Sequence, residues 1–114
     1  MAVERRRASR DRRETLRIPA TFAVKNSAQG QIQLCQAEDI GPGGLTMKRP
    51  RDVSFAPRTT VALAFALPGT KEEIAAEAVI TSDLGVGSFR RTGVRFIAIR
   101  PEHQQLIAGF CRRG

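Results

Sequence analysis

The sequence predicts an all-β domain of six short antiparallel strands, arranged as a barrel or a sandwich, with one short C-terminal helix closing an end. Three observations carry this. Apolar and polar residues alternate through Leu16–Lys25, Val61–Leu67 and Ile74–Thr81, the period of a half-buried strand. Segments rich in Gly and Pro, such as Gly41-Pro42-Gly43-Gly44 and Pro68-Gly69-Thr70, punctuate those runs as turns do. Finally, Pro101 occupies a first helical position ahead of a stripe formed by Leu106, Ile107, Phe110 and Cys111.

Each element follows in chain order. Leu16, Ile18, Ala20, Phe22 and Val24 share one face of strand one, opposite Arg17, Thr21 and Lys25, and Asn26–Gly30 then turns the chain. Gln31–Ile40 forms strand two through Ile32 and Leu34, with a slip in alternation at Cys35–Ala37 of the kind a bulge produces. Strand three is Leu45–Lys48, and Arg49–Arg58 is an irregular basic connection broken by Pro50 and Pro57. Strand four carries Val61, Leu63, Phe65 and Leu67 inward. Ile74, Ala76, Ala78 and Ile80 do the same in strand five. Ser82–Ser88 is a glycine-containing loop, and Arg91–Ile99 is strand six. The helix runs from Pro101 to about Arg112. Phe22, Phe65, Phe96 and Phe110 lie in phase with apolar stripes and are core residues.

A chain of 114 residues, 41% hydrophobic and 26% charged, buries one core, so a single globular domain is expected. Its apolar stretches fall far short of the roughly 18 to 20 residues that cross a bilayer, and its basic N-terminus lacks the apolar run of a secretory signal. No membrane span and a cytoplasmic location are therefore expected. Cys35 and Cys111 are too isolated for a zinc site or a disulfide framework and read as reduced core residues; no metal site is expected. His103 is the sole histidine and has no nucleophile at a recognisable spacing, so the sequence points away from an enzyme.

The charge is unevenly placed. Residues 1–17 hold seven arginines against three acids, which is four of the chain's net +8. An aromatic-free segment of this kind cannot bury enough surface to fold alone, so residues 1–11 are expected to form a flexible basic leader ahead of a domain spanning 12–114. The matching partner is an anion: a nucleotide, a nucleic acid or an anionic membrane surface.

Two segments narrow that choice. Arg12-Arg13-Glu14-Thr15-Leu16-Arg17-Ile18-Pro19 leads into strand one, and Glu38-Asp39-Ile40-Gly41-Pro42-Gly43-Gly44-Leu45 joins strands two and three. In this order and spacing the chain resembles a PilZ domain from about Arg12 to the C-terminus, with Thr92-Gly93-Val94-Arg95-Phe96 similar to a later strand of that family. The resemblance implies a six-stranded antiparallel PilZ-like β-barrel with a short C-terminal α-helix. It also implies a receptor for the bacterial second messenger cyclic di-GMP, bound through R-x-x-x-R and [D/N]-x-S-x-x-G motifs. Arg13 and Arg17 match the first motif, with Arg12 as an accessory basic contact. Arg6/Arg10 and Arg91/Arg95 have the same spacing, but only Arg13/Arg17 directly precedes strand one. Asp39 and Gly44 match the ends of the second motif, while Gly41 stands at its serine position.

The residue chemistry suits that ligand independently. Cyclic di-GMP presents two guanine edges and two phosphodiester anions. A guanidinium can donate a pair of bonds to guanine O6 and N7, stack on the purine or pair with a phosphate. The Asp39 carboxylate can accept from guanine N1–H and N2–H, and Gly41, Gly43 and Gly44 would let main chain approach the ligand without a Cβ clash. The expected protein is a non-enzymatic receptor that needs no cofactor, binds cyclic di-GMP, reorders its basic leader and acts in trans on an effector protein. Two alternatives remain at this stage. One is a PilZ-type protein-interaction module that does not bind nucleotide, favoured by Gly41. The other is a basic-arm nucleic-acid binder, favoured by the leader's charge.

Overall fold

The computed structural model describes residues 17–51 and 53–113; the expected leader at residues 1–11, Arg12 and Arg13 lie outside them. Six strands close into a barrel: β1 (Ile18–Ala28), β2 (Gln31–Gly41), β3 (Gly44–Pro50), β4 (Thr60–Phe65), β5 (Ile74–Val86) and β6 (Phe89–Ile99), followed by the helix α1 (Pro101–Arg113). The spatial order is β1-β2-β3-β6-β5-β4, with β4 returning to pair with β1 and every pairing antiparallel. Closure leaves no open sheet edge.

The alternation expected in β1, β4 and the first half of β5 is the burial pattern found. Val24, Ile40, Leu45, Met47, Leu63, Phe65, Ile74, Ile80 and Val94 fill the interior. Phe22, Phe65 and Phe96 form a run of rings with centroids 5.4 and 6.4 Å apart. The helix lays Ile107 and Cys111 on the same core, and the Cys111 thiol donates to the Ile40 carbonyl at 3.5 Å. Its His103 is also buried, with Nδ1 accepting from the Ala75 N–H at 3.4 Å, so this imidazole ties α1 to β5.

Three expectations are corrected, and the slip expected in strand two is placed. Ile32 and Leu34 face outward, at 73% and 71% exposure, while Cys35 and Ala37 point inward. The cause is a bulge at Glu38, between the pairs Ala37↔Met47 and Asp39↔Thr46, one residue beyond the expected slip. One extra residue exchanges the faces of everything before it. Asn26 is not in a turn, because β1 runs on to Ala28 and the hairpin closes at Gln29 and Gly30, whose φ values of 54° and 78° suit a two-residue turn. Arg49 and Pro50 belong to β3 rather than to a connection, and Ser82–Ser88 is not a loop: β5 continues to Val86 and β6 begins at Phe89.

Arg49 is the least expected interior residue, at 2% exposure. Its Nε donates to Thr92 Oγ1 at 2.8 Å, Nη1 to Gln33 Oε1 at 3.0 Å, and Nη2 to Asp83 Oδ1 and the Val53 carbonyl, both at 2.9 Å. Asp83 also accepts from Thr92 Oγ1 at 2.7 Å, the Phe55 N–H at 2.9 Å and Arg90 Nε at 3.0 Å. Burial opposes ionisation of Asp83, but the bonds from Thr92, Phe55 and Arg49 together with the Arg49 charge outweigh it and hold the carboxyl at about 2. A buried guanidinium is tolerable only with such a complete set of partners. The network fixes the β3–β4 connection against the β5–β6 hairpin.

Candidate functional site

β2 and β3 meet in the two-residue turn Pro42-Gly43, with Gly41 paired to Gly44 and, one step further, Ile40 to Leu45. Beyond them Asp39 pairs with Thr46, and Arg17 at the entry to β1 reaches both. Arg17 Nη1 donates to Thr46 Oγ1 at 2.9 Å and lies 3.3 Å from Asp39 Oδ1. The Arg17 and Asp39 side chains are each about one-third exposed, at 31% and 33%, so the pair is partly desolvated yet open to a ligand.

Gly44 has a geometric reason of its own. A Cβ there would lie 2.0 Å from the Val94 carbonyl oxygen and 3.1 Å from Arg17 Nη2. Its missing side chain therefore lets β3 run close to β6 and leaves room for the guanidinium. Positive φ is not the requirement: among the described glycines it occurs at Gly30, Gly69 and Gly87. Gly43 offers its carbonyl to the Phe96 N–H at 2.8 Å, which docks the turn on β6.

A cleft of about 730 Å³ opens beside this turn. Arg17, Pro42 and Gly43 form one wall, and Arg95, Phe96 and Gln104 contribute from β6 and α1. Two cations, Arg17 and Arg95, thus line the cleft. Of the residues expected at the site, Arg17, Asp39, Gly41, Gly43 and Gly44 come together around the turn, but only Arg17 and Gly43 line the cleft; Arg12 and Arg13 lie outside the described residues. Thr46, Arg95 and Gln104 are additions. Thr46 and Arg95 lie across from Asp39 and Gly44 in register, a relationship that only the strand pairing reveals. The Arg91/Arg95 spacing had drawn attention to Arg95 without placing it.

Among the described residues no cluster of three His, Cys, Asp or Glu side chains could hold a metal ion, and no helix is long and apolar enough to cross a membrane. Cys35 and Cys111 are free and buried, and burial pushes the Cys35 thiol up to about 11 despite the nearby Arg49 charge. Neither is a ready nucleophile.

The barrel is shared with solved structures. The Bacillus subtilis inhibitor of motility MotI/DgrA aligns with a TM-score of 0.79 at 20% identity, over 86% of this chain and 48% of that one. The PilZ domain of YcgR from Escherichia coli, solved with cyclic di-GMP, gives 0.67 at 14% identity, over 86% and 87%. The Borreliella burgdorferi PlzA protein in complex with cyclic di-GMP gives 0.60 at 16% identity, over 93% and 43%. The chain therefore spans about half the length of the MotI/DgrA structure and less than half that of PlzA. No curated protein matches the sequence. The sequence profile of the PilZ domain matches residues 4–113, nearly the whole chain, and with the closed six-stranded barrel and its C-terminal helix this shows that the chain belongs to the PilZ domain family.

Proposed function

We propose that this PilZ domain is a cyclic di-GMP receptor that passes the messenger level to an effector protein in trans. The observation that carries the reading is the Arg17, Asp39 and Thr46 cluster, whose Arg17 lines a cleft that Arg95 also lines. Within it, Asp39 takes a guanine Watson–Crick edge. Arg17 and Arg95 pair with phosphate or with the guanine O6/N7 edge. The bond from Thr46 holds the Arg17 fork in place before the ligand arrives. Gly41, Gly43 and Gly44 keep the turn close to the bound ring. Arg13 contributes as the first arginine of the R-x-x-x-R motif and Arg12 as an accessory basic contact, in a domain proposed to run 12–114 behind a basic leader at 1–11. Two neighbours solved with cyclic di-GMP support the ligand class.

The proposed activity is binding rather than catalysis, and the proposed location is the cytoplasm, in line with a basic N-terminal sequence that lacks the apolar run of a secretory signal. Gly41 at the serine position favours a second reading, a protein-interaction module without nucleotide; the leader's charge favours a third, nucleic-acid binding. Calorimetric titration with cyclic di-GMP and with duplex DNA separates them. The receptor reading expects micromolar binding of the messenger with a shallow salt dependence. Duplex binding carried by six to ten basic groups would instead weaken by roughly 10³ to 10⁵ between about 50 and 200 mM salt. Tight duplex binding that cyclic di-GMP fails to displace would overturn the proposal.

A further inference from the structure

The bulge at Glu38 turns Ile32 and Leu34 out of the core, and the same outer face carries further apolar residues. Leu34 and Leu84 are 71% and 65% exposed. Pro50 pairs with Phe89, and Leu34, Pro50 and Phe89 together line a groove of about 570 Å³ across β1, β2, β3 and β6. Isolated exposed leucines need no explanation, but Leu34 lies in one groove with Pro50 and Phe89.

Its rim is cationic. Lys25 stands opposite Leu34, Arg91 opposite Leu84, and Lys48 between Arg91 and Gln36. The Lys48 ammonium lies 4.9 Å and the Arg91 guanidinium 5.7 Å from the Phe89 ring centroid, so both charges are held at the groove's edge. Glu38 is the acid bonded to them, at 2.8 Å from Arg91 and 3.8 Å from Lys48, and the bond from Arg91 holds its carboxyl below the usual range. This groove is separate from the cleft beside Pro42-Gly43, with which it shares no lining residue.

We infer that the groove across β1, β2, β3 and β6 is a docking surface for an acidic peptide segment bearing large apolar side chains. Charge complementarity selects this occupant. The arginine-rich residues 1–17 have the sign of the rim, and a second copy of a chain with net charge +8 repels the first. A shallow groove that mixes apolar Leu34, Pro50 and Phe89 with polar Gln36 and Lys48 suits a peptide, which offers both kinds of group, better than a bilayer surface. The inference is independent of nucleotide binding.

Selection of peptides from a random phage-displayed library on the intact protein, followed by anisotropy titration of the enriched peptide, tests it. Enriched peptides should carry net negative charge and large apolar residues. Leu34→Asp and Lys48→Glu should each weaken binding by about tenfold or more, as loss of an anchor or of a complementary charge does. Ala62→Asp, at an exposed site on β4, should leave it unchanged, and all three variants should keep the native circular dichroism spectrum. No enrichment, basic or uncharged consensus peptides, or indifference to Leu34→Asp would overturn the inference. So would self-association in sedimentation that Leu34→Asp abolishes, or Leu34-dependent binding to phosphatidylglycerol vesicles without peptide enrichment. Those results would assign the face to a second copy or to a lipid surface.

Discussion

Arg17 and Asp39 are 22 residues apart in sequence and 3.3 Å apart in space, and Thr46, which pairs with Asp39 in register, accepts from the same Arg17 nitrogen at 2.9 Å. The hairpin at Pro42-Gly43 makes this meeting possible. It places the acid and the hydroxyl side by side on adjacent strands, where an arginine entering β1 reaches both. Arg17 of the first motif and Asp39 of the second thus meet in one cluster.

In the proposed receptor Thr46 positions Arg17 through its hydrogen bond and does not itself touch the ligand. Thr46→Val keeps the shape and removes the acceptor, so it should weaken cyclic di-GMP binding by about 1 kcal/mol, the net worth of one ordinary hydrogen bond, while Thr46→Ser restores it. Titration of the three proteins checks this. Equal affinity across the series would show that Arg17 needs no support from Thr46.

Gly44 is a packing requirement. Gly44→Ala places a Cβ 2.0 Å from a main-chain oxygen of β6 and should cost about 2 kcal/mol or more, because backbone rather than a flexible side chain must move. Gly85→Ala meets only Arg90 Nη1, at 3.7 Å, and should stay within about 0.5 kcal/mol of the parent. Urea unfolding of both variants measures the contrast.

Asp83 sets an acid limit on stability. Its folded-state carboxyl lies at about 2, below the ordinary 3.8, so the unfolded chain takes up the proton first as pH falls. The stabilisation, about 2 kcal/mol, is fully present above about pH 4 and is lost as pH drops towards about 2. Asp83→Asn should remove that part of the pH dependence. At neutral pH it should destabilise by about 3 kcal/mol, because Arg49 is left buried without its counter-charge. Denaturation midpoints between pH 7 and 2 test both statements.

Gly41 holds the serine position of the family motif, and its φ is not among the positive ones. A serine there supplies a hydrogen-bonding hydroxyl and removes the ordering cost of glycine, together about 1 to 2 kcal/mol. Gly41→Ser should therefore tighten cyclic di-GMP binding by roughly fivefold to thirtyfold. Unchanged or weaker binding would show that the Gly41–Gly44 pair has no room for the hydroxyl.

Much of this architecture was legible because strands β1, β4 and β5 bury alternate apolar residues, and the period needs no partner to be seen. What stayed hidden depended on partners. Arg49 reads as surface until Asp83, Thr92 and Gln33 are known to surround it. The outward turn of Ile32 and Leu34 stayed hidden because the bulge four residues beyond Leu34 cannot be placed from alternation alone. Ser82–Ser88 reads as a loop because glycines and a polar run mask a strand whose inward Asp83 is satisfied by an internal salt bridge. At the site, Arg17 and Asp39 were visible in the motifs. Thr46, Arg95 and Gln104 were not, since strand register and helix docking bring them there.

Binding of cyclic di-GMP by the Arg17–Asp39 cluster is decided by one calorimetric comparison: the unaltered protein, Arg17→Ala, Arg13→Ala and, as a control outside the motif, Arg6→Ala. The unaltered protein and Arg6→Ala should bind in the micromolar range. Arg17→Ala and Arg13→Ala should each lose about 2 kcal/mol or more, roughly 30-fold. No heat from any of the four, or an Arg6→Ala defect as large as that of Arg17→Ala, would show that the cluster is not the binding site.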